Sequence, residues 1–121
     1  MIYLPKNITW KGGIFVTVRE LLDIIDSTVK NEVDEAIKVR WINDVEGRVL
    51  CEICKKSPAE VKRVVSEDDE LFVPEAYSML YVLFVVSMIE FAGGEYGNYA
   101  KLSTEFEKAF ELFGRWYIRN S

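Results

Sequence analysis

Hydrophobic positions along most of this chain recur at the three- and four-residue intervals of an α-helix. The first such run begins with a capping box, in which the side chains of Thr17 and Glu20 each accept a hydrogen bond from the other residue's backbone N–H. The apolar residues that follow are Val18, Leu21, Leu22 and Ile25. This pattern predicts a first helix with one face on the core.

A second helix is predicted from about Glu32 to Cys54. Its apolar residues recur every four positions, and they are Val33, Ile37, Trp41, Val45, Val49 and Ile53. Because an α-helix has about 3.6 residues per turn, this stripe winds slowly around the helix. Gly47 costs about 1 kcal/mol relative to alanine inside a helix. It therefore indicates either a kink or the close approach of another backbone.

Two shorter elements are predicted next. Ser57 and Glu60 form a second capping box with proline at the first helical position, which predicts a short helix over 57–65. Residues 71–73 are predicted to be extended, and Pro74 is predicted to open the third helix.

The C-terminal half predicts a long helical hairpin. Its first helix, from Pro74 to the glycine-rich segment 93–97, has no polar face, so we expect cover on several sides and a partner surface as well. The apolar run 76–89 is shorter than the roughly 20 residues that span a membrane, which favours a buried helix and no membrane. The second helix is predicted from near Asn98 to about Arg119.

These elements predict an all-α fold: a small helical bundle with a long C-terminal helical hairpin and a short extended N-terminal segment. The length of 121 residues suits one domain. Residues 1–16 form either a loose hairpin, with 2–4 against 14–16, or an arm that packs on a neighbouring subunit. Residues 17–121 form the helical domain.

Composition narrows the class of function. The net charge is −5, and the basic residues around Lys55 and Arg63 are followed at once by the acidic run 67–70. Direct binding of nucleic acid is therefore not expected. Pro5 and Lys6 interrupt the N-terminal apolar run, so no secretory signal is predicted.

Residues for catalysis or metal binding are scarce. The chain has no histidine, and its only cysteines are Cys51 and Cys54, without the second pair that a zinc site needs. Two reduced thiols are expected there, and the alternative is a metal or redox site. Glu90 on the apolar third helix is either a buried acid or a carboxylate that reaches solvent. We expect no enzyme, no cofactor and no metal.

Aromatic residues and arginine supply the candidate interface. Residues 115–117 combine the three residue types enriched at binding hot spots, and they serve either an interface or closure of the core. The candidate interface residues are Trp41, Tyr96, Tyr99, Arg115, Trp116 and Tyr117.

Six segments, taken in order, resemble a known family. They are TVRELL at 17–22, RWINDVEGR at 40–48, SPAE at 57–60, LFVP at 71–74, GEYGNY at 94–99 and FGRWY at 113–117. Their order and spacing are similar to those of small proteins encoded beside head genes in phages and prophages of Gram-positive bacteria. These are head–tail connector, or head-completion adaptor, proteins.

The resemblance implies a helical protein that assembles as a ring under the portal, lengthens the DNA channel and does no chemistry. Its partners would be itself, the portal and a tail or stopper protein, with DNA passing through without specific binding. It would lie in the virion, and in the host cytoplasm during assembly. The C-terminal helix would give Arg115, Trp116 and Tyr117 a role at the portal. Residues 1–16 depart from the family pattern. The alternative is a small acidic helical regulatory module of antitoxin or inhibitor type.

Overall fold

Helices form most of the described part of the chain, with one small antiparallel sheet. The computed structural model describes residues 14–64 and 66–121. The strands are β1, Phe15–Thr17, and β2, Glu70–Pro74; the α-helices are α1, Val18–Thr28, α2, Glu35–Arg48, α3, Met79–Ala92, and α4, Tyr96–Asn120. The predicted fold class, mostly helical with a long C-terminal helix, is confirmed.

The start of α1 follows the sequence prediction. The backbone N–H of Glu20 donates to Thr17 Oγ1 at 3.2 Å, and the N–H of Thr17 donates to Glu20 Oε1 at 2.9 Å. The four apolar residues of the predicted face are all buried. Local sequence therefore determines both the start and the orientation of this helix.

The α-helical part of the second helix is shorter than predicted, and its buried face follows the predicted stripe only in part: Val45 and Val49 are fully buried. After α2 the chain continues as a π-helical segment, Val49–Ile53. Ile37, from the predicted stripe, is 42% exposed, whereas Lys38 and Glu46 are buried. A stripe with a period of four cannot stay on one side of a helix with 3.6 residues per turn, so part of it turns outward.

Gly47 is not explained by a close contact. A Cβ atom there would meet nothing within 4 Å, so the close approach of another backbone is wrong as an explanation. The helix instead changes to π-helical geometry two residues later, at Val49. Such insertions are a known cause of local bending in helices.

The short helix predicted over 57–65 is wrong beyond its first turn. The capping box forms, but only Pro58–Glu60 is helical, as a single 3₁₀ turn, and Val65 lies outside the described residues. Asn43 holds the next part of the chain extended: its side-chain amide donates to the carbonyl of Val64 at 2.9 Å and its Oδ1 accepts from the Val64 N–H at 2.8 Å.

Pro74 ends a strand, so the prediction that it opens the third helix is wrong. It pairs with Phe15 in the antiparallel ladder, and Thr17 pairs with Glu70, with an irregularity in between. A 3₁₀ turn at Glu75–Tyr77 then leads into α3. The sheet thus pairs β1, at the start of the described chain, with β2 near its middle. The partner segment of the predicted N-terminal hairpin, 2–4, lies outside the described residues.

The core is centred on α3, as its hydrophobic surface predicts. It packs on α1, α2 and α4. Its buried residues are Leu80, Tyr81, Val82, Val85, Val86, Ser87 and Ile89. The large apolar side chains left exposed on α3, Met79 and Phe91, lie at its two ends. The expected cover on several sides is thus supplied by other helices of the same chain.

Candidate interaction surfaces

The first candidate surface is the turn between α3 and α4, residues 90–99, here called the hairpin tip. Phe91 is 49% exposed and Tyr96 is 62% exposed. The Phe91 ring lies 5.3 Å from that of Tyr96 and 5.0 Å from that of Tyr99, centroid to centroid. Three aromatic rings therefore form one cluster, and within residues 14–64 and 66–121 two of them are largely exposed.

Backbone geometry holds this cluster in place. Gly94 has a φ of +81°, in the left-handed region that glycine adopts without a steric penalty. The N–H of Glu95 donates to the carbonyl of Glu90 at 2.9 Å, which closes the turn. The amide of Asn98 donates to the Glu90 carboxylate at 2.7 Å and links the two helices. The tip is thus a defined structure rather than a loose loop.

The second candidate surface is a groove between α4 and the π-helical segment, here called the α4 groove. It has a volume of about 640 Å³. Its apolar lining includes Ile53, Phe110 and Ile118, and Ile118 is 71% exposed. The groove is open along its length. It is therefore shaped for a protruding segment of protein more than for an enclosed small molecule.

Arg48 fixes one side of the α4 groove. Its guanidinium lies 4.4 Å from the centroid of the Phe110 ring and 5.4 Å from that of Phe106. It also pairs with Glu52 at 3.1 Å and with Glu107 at 3.3 Å. The stacking and the ion pair with Glu107 link the end of α2 to α4, and the ion pair with Glu52 lies within the same helical stretch as Arg48.

Gly114 lies on α4 directly opposite Ile53 of the π-helical segment. A Cβ atom at this position would lie 3.4 Å from Ile53 Cδ1, at the edge of ordinary contact. Gly114 therefore marks the point where α4 and the π-helical segment approach each other.

The structure separates the sequence-predicted interface residues into three places. Tyr96 and Tyr99 come together at the hairpin tip. Arg115 lines the α4 groove and is exposed, 3.7 Å from Glu111. Trp41 is half-buried on α2 and joins neither surface.

Trp116 and Tyr117 lie at the other end of the hairpin. Tyr117 is buried, and its ring lies 6.0 Å from that of Phe72 and 6.1 Å from that of Phe113. Trp116 is half-buried and stacks on Phe113 at 5.9 Å. Tyr117 therefore belongs to the core and Trp116 packs against its edge, as core closure predicts. Arg115 is the exposed member of the trio.

A buried acid, Glu46, lies beside the aromatic cluster of Phe72, Phe113 and Tyr117, and the sequence pattern does not single it out. Glu46 is 5% exposed. Its Oε1 accepts a hydrogen bond from the Tyr81 hydroxyl, and its Oε2 accepts from the N–H of Phe72 at 2.8 Å. The Tyr81 hydroxyl in turn accepts from the N–H of Val73 at 3.1 Å. The group therefore joins α2, β2 and α3.

Burial governs the protonation of this group. Removal from water raises the pKa of Glu46 above its ordinary value, and the two hydrogen bonds offset part of that rise. Burial likewise raises the pKa of Tyr81. Glu90, the acid that the sequence does single out, is instead half-buried at the tip beside Asn98.

Of the two cysteines, Cys54 has the properties of a structural thiol. Both cysteines are free and half-buried. Burial raises the pKa of Cys54 to about 11, so its thiol stays protonated and weakly nucleophilic at neutral pH. Among residues 14–64 and 66–121, no three histidine, cysteine or acidic side chains form a metal-binding group. Nor, within these ranges, does any helix combine the length and hydrophobicity that a bilayer-spanning segment requires.

Comparison with known proteins finds no match among family models, curated proteins or solved structures.

Proposed function

We propose that this chain is a head–tail connector, or head-completion adaptor, of a phage or prophage. In this role it assembles as a ring under the portal and joins the DNA-filled head to the tail. The observation that carries the proposal is the presence of two different, partly apolar surfaces, the hairpin tip and the α4 groove. The proposal places the protein in the virion.

A ring needs two such surfaces. In a closed ring each subunit contacts the next head to tail, so one patch must bind a different patch on the neighbour. Tyr96 at the tip and Ile118 in the groove are separated by about 33 Å along α4, at 1.5 Å of rise per residue. One protomer cannot bring them together, because α4 is a continuous helix.

The segments that carry the family resemblance also build these surfaces. The segment 94–99 forms the turn and the start of α4 at the tip. The segment 113–117 supplies Gly114 and Arg115 to the groove. The net charge of −5 suits a channel through which DNA slides without being held.

The test is assembly on the portal encoded beside the gene. Light scattering and electron microscopy would be applied to the purified chain alone and to the chain mixed with that portal protein. We expect a ring that stacks coaxially on the portal. A chain that stays monomeric at high concentration and does not bind the portal would overturn the proposal and would favour the regulatory module.

A further inference from the structure

We infer that the hairpin tip of one copy inserts into the α4 groove of a second copy. This contact rests on the proposed function, because it specifies which surfaces meet in the ring. The occupant of the groove is therefore another copy of this chain. Three properties of the two surfaces support the pairing.

The apolar parts are complementary in form. The tip projects as a cluster of rings, in which Phe91 and Tyr96 are about half exposed or more. The groove is a concave surface of about 640 Å³ with Ile53, Phe110 and Ile118 in its lining. Aromatic side chains that enter such a surface are the usual anchors of protein interfaces.

The charges are complementary as well. Residues 90–99 carry Glu90 and Glu95 and no basic residue. The lining of the groove includes the basic residues Arg48, Lys108 and Arg115, each of which forms an ion pair with acidic residues of its own chain. Arg115 and Lys108 form only exposed ion pairs, with Glu111 at 3.7 Å and Glu105 at 3.5 Å. Such pairs are weak and can be exchanged for a partner's carboxylates.

The charges of the tip disfavour the symmetric contact between two tips. Two tips that met each other would bring four carboxylates, two from each copy, into one apolar contact, because each tip carries Glu90 and Glu95. Like charges in such a contact are unfavourable. A head-to-tail arrangement avoids this, and it also leaves each copy with one tip and one groove for the next neighbours.

Complementation between two variants tests the pairing. Tyr96→Ala removes the exposed ring of the tip, and Ile118→Asp places a charge in the groove; both residues are largely exposed, so both variants should fold. Ile37→Asp, at an exposed apolar residue of α2 outside both surfaces, is the matched control. Circular dichroism and melting would confirm that all three are folded.

Sedimentation equilibrium would follow self-association. We expect each surface variant alone to associate at least tenfold more weakly than the wild-type chain, and Ile37→Asp to match the wild type. A mixture of Tyr96→Ala with Ile118→Asp should form a 1:1 dimer, because the first keeps its groove and the second keeps its tip. Higher salt should weaken the dimer by screening the charges.

The possible failures are distinguishable. If the wild-type chain assembles and either surface variant assembles equally well, the tip-to-groove contact is overturned and the proposed function stands. If both variants are defective but their mixture shows no dimer, the contact is not head to tail and the inference is again overturned. If the wild-type chain neither self-associates nor binds portal, both proposals are overturned.

Discussion

The two ends of the hairpin formed by α3 and α4 carry similar aromatic residues and use them in opposite ways. At the end opposite the tip, which other elements cover and which is here called the closed end, Tyr81 and Phe113 are fully buried and Tyr117 is 5% exposed. At the hairpin tip, Phe91 and Tyr96 are 49% and 62% exposed. The rings at both ends lie at similar distances from one another, between 5.0 and 6.5 Å. The difference lies in what covers them.

The cover at the closed end comes from distant parts of the chain. β2 lies against that end and contributes Phe72 to the aromatic cluster. Glu46 of α2 adds hydrogen bonds to α3 and β2. No described element lies over the tip in the same way. An aromatic cluster is thus buried where other elements of the chain pack on it and stays exposed where none of the described elements does.

Among substitutions that compare the two ends, Phe113→Ala is expected to have the largest effect on the free energy of unfolding. Phe113 is fully buried, so we expect the free energy of unfolding to fall by about 3–5 kcal/mol through lost burial and a cavity. Tyr96→Ala at the tip is the matched control, with an expected change within about 0.5 kcal/mol. Urea denaturation in dilute solution measures both. Equal losses at the two ends would contradict the distinction between them.

A smaller effect is expected from Tyr81→Phe. Loss of the hydroxyl leaves the buried Glu46 carboxylate and the Val73 N–H each without this partner, which should lower the free energy of unfolding by about 1–3 kcal/mol. Tyr77→Phe is the control, because Tyr77 is a half-buried tyrosine that packs on Phe113 and lies outside this hydrogen-bond network. If both substitutions had the same small effect, the network would not stabilise the closed end.

The ionisation of Glu46 predicts a pH dependence at the closed end. Its pKa is raised in the folded state above the ordinary 4.5, so the folded protein holds the proton more tightly than the unfolded chain. As pH rises from about 4.5 to the folded pKa, the contribution of Glu46 to the free energy of unfolding therefore falls.

Glu46→Gln does not titrate, so comparison with it isolates this effect. The free energy of unfolding of the variant, minus that of the wild type, should increase with pH over this window and then level off. Asp26, whose pKa is lowered chiefly by its hydrogen bond from Lys38, has the opposite pH dependence but is present in both proteins and cancels. A difference that stays flat or decreases would contradict the raised pKa.

The smallest effect is expected in the turn at the tip. Gly94→Ala forces an L-residue to a φ of +81°, which should lower the free energy of unfolding by about 1 kcal/mol. Gly47→Ala is the control with the opposite sign: it has open space for a Cβ atom and should stabilise the helix by up to about 1 kcal/mol. Thermal unfolding of both variants measures the two shifts. A stabilised Gly94→Ala would show that the turn is not held in this geometry.

The elements that could be predicted from the sequence are those determined by residues a few positions apart. The capping box at Thr17 and Glu20, the apolar face of α1, the extended 71–73 segment and the hairpin in the C-terminal half could all be predicted from neighbouring residues. Tyr96, Tyr99 and Arg115 could be proposed for an interface by residue type. Ile53, Phe110 and Gly114 were missed as a surface because they meet across two separate elements.

Other features could not be predicted because their partners are far apart in the sequence. The capping box at Ser57 and Glu60 did form, but the helix stopped after one turn, since Asn43 binds the backbone of Val64, 21 residues away. Glu46 carries no local signal for burial; its hydrogen-bond donors come from 26 and 35 residues further along the chain.

The sequence by itself determined the approximate positions of α1, α2, α3 and α4, because helix periodicity and capping depend on residues three or four positions apart. Only the tertiary structure decided which aromatic residues stay outside. That depends on the pairing of β1 with β2 and on the placement of α2 against α3, which bury one end of the hairpin and leave the tip and the α4 groove open. Whether a side chain is buried depends on the elements that pack on it, and in this protein those elements are distant in the sequence and close only in the folded structure.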